Sequence, residues 1–182
     1  MNRVLDRSMP PPIKTIESVS LFSPEQYQLD NGIQVYEINM GAQEVAKLEL
    51  VFKAGRPTEK KQSVARATLA LLKEGTTTRT AAQIAETVDY YGATLRMPFA
   101  LDTSGVVLHA LNKHFEALLP LVQEVLTEPS FLQKELDSFI KRNQQRLRMD
   151  MSKTDVVAYR TVTEHLFGAA HPYGYNSEIA TY

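Results

Sequence analysis

Hydrophobic spacing switches between two periods along this chain, and the order of the switches constrains the fold more than any single residue does. At Lys47-Leu48-Glu49-Leu50-Val51-Phe52 the apolar Leu48, Leu50 and Phe52 alternate with Lys47 and Glu49, the period of a strand with one buried face. From Phe115 the spacing lengthens. Phe115, Leu118, Leu119, Val122, Val125 and Leu126 recur every three or four residues, the period of an amphipathic helix.

Local signals place the other elements. Tyr27-Gln28-Leu29 and Ile33-Gln34-Val35 flank Asp30-Asn31-Gly32, and Asn-Gly supplies the positive φ of a tight hairpin turn. A helix is expected over about 60–73, stopped by Gly75. Thr80 with Gln83 three residues on reads as a capping box opening a second helix, with Ile84, Val88 and Tyr91 on one stripe and Gly92 at its end. Residues 93–100 and 104–111 read as strands around Asp102-Thr103. Asn112 is expected to cap a third helix, which Pro120 should kink. A fourth spans about 132–150 with Leu132, Leu136, Phe139, Ile140 and Leu147 inward. A fifth spans about 154–167 and stops at Gly168. Strands, two helices, strands and three helices in this order predict an α+β fold: an antiparallel sheet with helices packed on one face. No strand signal follows the fifth helix, so residues 23–182 read as most of one domain lacking its last strand or strands, C-terminally truncated. Residues 1–22, with Pro10-Pro11-Pro12, read as an extended N-terminal linker.

Composition narrows the function classes. The 182 residues are 43% hydrophobic, enough for one cored domain. The formal net charge of −1 argues against nucleic acid or an anionic membrane as a general partner. No cysteine is present, which excludes disulfides, thiol nucleophiles and thiolate metal sites. No apolar run approaches the roughly 18 residues of a membrane span. The basic N-terminus has no apolar segment behind it, so the reading is a cytoplasmic protein.

Leu72-Lys73-Glu74-Gly75-Thr76, Thr80, Gly92-Ala93, the strand pair around Asp102-Thr103, Glu128-Pro129-Ser130-Phe131 and His171-Pro172-Tyr173-Gly174 occur in an order and spacing that resembles the insulinase/pitrilysin zinc metallopeptidases, the mitochondrial processing peptidases among them. Leu29-Asp30-Asn31-Gly32-Ile33 matches the opening hairpin of that family, and the resemblance covers about residues 23–182. It implies the processing-peptidase fold, in a family whose active members use zinc. Active members carry H-x-x-E-H on the first helix. Two imidazoles at i and i+4 hold zinc, and the Glu activates the bound water. A later Glu completes the site.

Laid on this chain, that pattern falls on Arg66, Leu69 and Ala70, and the later ligand falls within 144–148, Gln144-Gln145-Arg146-Leu147-Arg148, near Arg146. None is a ligand or a base, so the resemblance implies a zinc-lacking, inactive-type member with no catalytic residue, no bound metal and no cofactor.

Other readings compete residue by residue. His165, His171 and Glu164 share no helix face, and His165 reads better as a cation at a helix C-terminus than as a metal ligand. Arg66 is either a clamp for a substrate carboxylate or an arginine whose stem packs while its head reaches water. Lys141, Arg142, Arg146 and Arg148 read as a solvated basic face or a partner contact. The function implied by the resemblance is a non-catalytic subunit or half that shapes the chamber and holds peptide for an active zinc-peptidase partner, with self-association through a sheet edge expected beside it. The alternative is a structural or assembly protein of the same fold with no proteolytic role.

Overall fold

The alternation at 47–52 does form a strand, and it lies beside the most buried strand of the chain. The computed structural model describes residues 10, 13, 15, 17–41 and 43–182, and it divides into the units Met1–Ala42 and Gln43–Tyr182. In the first unit, β1 (Glu25–Gln28) pairs antiparallel with β2 (Gln34–Glu37). The turn is the one Asn-Gly dictates: Gly32 sits at φ +84°, and the Asn31 side chain accepts from the Ile33 N–H at 3.1 Å. Of the proline run, Pro11 and Pro12 lie outside the described residues, as do residues 1–9.

The second unit holds β3 (Val45–Phe52), α1 (Val64–Leu71), α2 (Ala81–Tyr90), β4 (Thr94–Arg96), β5 (Ser104–Leu111), α3 (Asn112–Thr127), α4 (Gln133–Asp150) and α5 (Thr154–Phe167). A 3-10 turn at Arg56–Thr58 precedes α1, and another at Ile179–Thr181 follows α5. The sheet is antiparallel in the order β3-β5-β4. Its register sets Leu48 opposite Leu108, Leu50 opposite Val106 and Leu95 opposite Leu108, so the apolar sets of three strands share one face. That face and the helices enclose one core: Leu69 and Leu72, Ile84 and Val88 from α2, Val106 and Leu108, and Leu118, Leu121, Val122 and Val125 from α3. The architecture is the expected α+β one.

Several expected details are corrected. The first helix begins at Val64, because Ser63 sits at φ +67°, outside the helical region. Glu59 replaces the missing cap, accepting from the N–H groups of Ser63 at 3.2 Å and Ala65 at 2.9 Å. Strand β4 ends at Arg96 rather than 100. Pro98 has no N–H to extend the ladder, and it contributes only its carbonyl, to the Gly105 N–H at 2.9 Å. Asn112 is the first residue of α3 and makes no side-chain cap. Pro120 lies inside this helix, as the sequence placed it, and is exposed. Leu121 is buried where Leu119 was expected, and Leu132 is exposed just before α4. The Thr80–Gln83 capping box is present in both directions.

Two sequence motifs far apart in the chain are joined. Gly75-Thr76 bridges to Pro129, with the Ser130 N–H donating to the Gly75 carbonyl at 3.0 Å and the Thr77 N–H to the Glu128 carbonyl at 2.9 Å. Glu124 on α3 accepts from the hydroxyls of Thr76 and Thr78 and pairs with Arg79. The connection from α1 to α2 is thereby fixed to the end of α3.

Candidate functional site

The segment after α5 is built by close backbone packing. Gly168 ends α5 at φ +87°, and the His171 N–H donates back to its carbonyl at 3.0 Å. Gly174 then passes so near that a Cβ on it would lie 2.1 Å from the Gly168 carbonyl oxygen. Phe167, His171 and Tyr173 form an aromatic cluster with ring centroids 5.2–5.7 Å apart. His171 also accepts from the Tyr173 N–H through Nδ1 at 3.1 Å. The Tyr173 hydroxyl donates to Asp102, and that bond together with burial raises its phenol above the usual range.

The segment is pinned to the start of α1 through Tyr175. Its hydroxyl donates to Glu59 at 2.7 Å, and the Arg56 guanidinium lies over its ring at 4.5 Å. Burial, then the bond to Glu59, push the Tyr175 phenol up to about 12. Arg56 also donates to the carbonyls of Tyr175 at 3.2 Å and Pro172 at 3.4 Å.

Between α1, α4, α5 and this segment lies a cleft of about 390 Å³. It brings together two of the four positions the sequence singles out, Arg66 from α1 and Arg146 from α4, and adds Arg56 and Arg160. Arg66 is half-buried and Arg146 exposed. Leu69 does not join them. It is 4% exposed and belongs to the core. Ala70, one turn on from Arg66, is half-buried and does not line the cleft. Lys141, Arg142 and Arg148 are exposed on α4 outside it. Asp150 is the one side-chain carboxylate of the lining. Its bond from Lys153 at 2.8 Å holds its pKa below the ordinary value.

Zinc takes imidazole nitrogen, thiolate sulfur or carboxylate oxygen. This lining offers no imidazole, no thiol and a single side-chain carboxylate already bonded to a lysine, so the residues present do not fit the metal. Nor do His165, His171 and Glu164 assemble an alternative. His171 is held in the aromatic cluster, and Glu164 accepts from the Asn176 amide at 3.1 Å. Among the described residues no group of three or more His, Cys, Asp and Glu is close enough to hold a metal. His165 does occupy the last turn of α5, where a helix C-terminus favours a cation.

Sequence reasoning missed Arg56 and Arg160. The spacing motif concerns two helices, whereas these arginines reach the cleft from a 3-10 turn and from α5. Neither carries a sequence signal of its own, because the groups they donate to, the carbonyls of Pro172, Tyr175 and Ser177, are backbone atoms that any sequence has. Among the described residues no helix is long and apolar enough to cross a membrane.

Comparison with known proteins identifies the fold and the family. Among curated proteins no sequence relative matches. In structure the chain is similar to the peptidase M16 inactive domain from Pseudomonas fluorescens, with a TM-score of 0.80 and 23% identity, over 86% of this chain and 38% of that one. It is similar to a protease from Helicobacter pylori with a TM-score of 0.76 and 16% identity, over 87% of this chain and 39% of that one. The chain thus spans less than half the length of either. At these identities the likeness establishes the fold. The family model for insulinase, peptidase family M16, matches residues 35–172, most of the chain. On that match the protein belongs to the insulinase family of peptidases.

Proposed function

We propose that this chain is part of a non-catalytic subunit or half of an insulinase-type peptidase, and that it shapes the chamber and holds peptide for a zinc-bearing partner. One observation carries the reading. The cleft where α1 meets α4 is lined by Arg66 and Arg146, at the positions where the family pattern puts a histidine and a glutamate. Replacing an imidazole ligand and a carboxylate ligand by guanidinium groups repels a dication, and Leu69 at the position of the base has no group to activate water. The loss spans the base and all three ligand positions, since Leu69 and Ala70 hold the others. The fold's likeness to a domain described as inactive is in keeping with this.

The reading is tested by purifying the protein from its native cell with whatever binds it. The protein alone, dialysed, should hold no stoichiometric zinc and should not cleave unfolded casein. Together with a co-purifying partner it should support chelator-sensitive cleavage. Chelator-sensitive cleavage by the protein alone would overturn the reading.

A further inference from the structure

The cleft that does not fit zinc is well made for a different ligand. Four arginines line it against one side-chain carboxylate, Asp150, which is bonded to Lys153 and also feels the charge of Arg146. Two of the four are committed. Arg56 donates to two backbone carbonyls, and Arg160 donates to the Ser177 carbonyl at 2.8 Å. Those bonds orient the groups but leave their charge uncompensated. Arg66 and Arg146 make no side-chain hydrogen bond or ion pair with another described residue, so their planar donor forks are free. A half-buried guanidinium without an anion is an incomplete arrangement, and its best partner is a bidentate oxyanion.

The rest of the lining narrows the class. The cleft is far larger than a bare ion requires and lies within the range of small-ligand sites, about 300–1,000 Å³. Leu147, Val156 and Tyr159 add apolar surface beside the arginines. A ligand that satisfies both parts has a carboxylate and an apolar body. We infer that the cleft is a carboxylate-binding subsite, in which Arg66 and Arg146 take the C-terminal carboxylate of a peptide while its last apolar side chain rests on Leu147 and Val156. This deepens the peptide-holding reading and rests on it. It places the anchor where active relatives would place their metal.

The probes are fluorescein-labelled nonapeptides ending in leucine, one with a free C-terminal carboxylate and one amidated, titrated by fluorescence anisotropy into the full chain. A third, amidated and with an internal glutamate, separates a terminal from a side-chain carboxylate. The free acid should bind about tenfold or more tightly than either amide. Arg66→Gln and Arg146→Gln should each weaken the acid and leave the amide unchanged, so that acid and amide converge in the double variant. Arg66→Lys, which keeps the charge and loses the fork, should fall between. Arg142→Gln, on the same helix outside the cleft, should change nothing. Arg146 is exposed, so its variant tests the site even if Arg66→Gln loses stability, which a thermal melt of each variant would reveal. Inorganic phosphate should compete only weakly; competition at a lower concentration than the free-acid peptide would overturn the peptide assignment in favour of a free anion. Equal binding of acid and amide would overturn the subsite while leaving peptide holding intact. No binding of any peptide would overturn both.

Discussion

The Tyr175 hydroxyl donates to the Glu59 carboxylate across 2.7 Å, joining residues 116 positions apart. The same carboxylate accepts from the N–H groups of Ser63 and Ala65 at the start of α1, so one acidic side chain both caps the helix and holds the segment that closes the cleft. Removing the hydroxyl in Tyr175→Phe should cost about 1–2 kcal/mol, the scale of a hydrogen bond to a charged group. Urea unfolding of the two proteins at neutral pH would measure it.

The same contact sets an alkaline limit. The Tyr175 phenol is raised to about 12 in the folded state, against 10.0 for a free tyrosine. A raised pKa means the unfolded chain loses its proton first. The contribution is therefore full below pH 10 and is lost as pH rises from 10 to 12. Unfolding midpoints taken across that window should fall more steeply for the wild type than for Tyr175→Phe. Parallel slopes would show that the hydroxyl is not held by Glu59.

Glu124 should matter more than the arginine it pairs with. Its side chain is 15% exposed and accepts from Thr76, Thr78 and Arg79, whereas Arg79 is 40% exposed. Glu124→Ala strips three donors of their acceptor and should destabilise by about 2 kcal/mol. Arg79→Ala should cost under about 1 kcal/mol, as exposed pairs do. Thermal melts of both variants would rank them, and no loss in Glu124→Ala would mean that the Gly75-Thr76 turn is fixed by its backbone pairing alone.

Two glycines separate steric from conformational need. A Cβ at Gly174 would lie 2.1 Å from a backbone oxygen, while one at Gly92, at φ +60°, would meet nothing. Gly92→Ala should therefore cost about 1 kcal/mol, for the left-handed backbone alone. Gly174→Ala must move the chain after α5 and should cost about 1–3 kcal/mol, together with a loss of peptide binding in the cleft.

Much of this fold is legible in local signals. Asn31-Gly32 and Thr80–Gln83 act through backbone geometry within a few residues, and both appear in the structure as expected. The period-2 run at 47–52 lies beside the strand it needs. What local signals could not supply is long-range. Glu59 caps the first helix where the Ser63 side chain does not, and Leu121 is buried where Leu119 is exposed; both outcomes depend on what packs against the helix. The site shows the same division. The absence of ligands at Arg66, Leu69 and Ala70 can be read directly, but the shared cleft of Arg66, Arg146, Arg56 and Arg160 exists only once four segments have packed together.

Rebuilding the family pattern by Arg66→His, Leu69→Glu and Ala70→His should fail, and the structure says where. Leu69 is 4% exposed, packed with Leu72, Ile84, Val106 and Leu118. A glutamate there would be a buried charge without a partner, costing about 3–5 kcal/mol. The double variant Arg66→His, Ala70→His avoids that penalty and should fold. It should still hold no zinc after dialysis, because the later ligand position is Arg146 and Asp150 is bonded to Lys153. Metal content of the dialysed double variant, measured beside the melt of the triple one, checks both parts. Near one zinc per chain, with chelator-sensitive cleavage of casein, would show that this domain lies two substitutions from a working metal site.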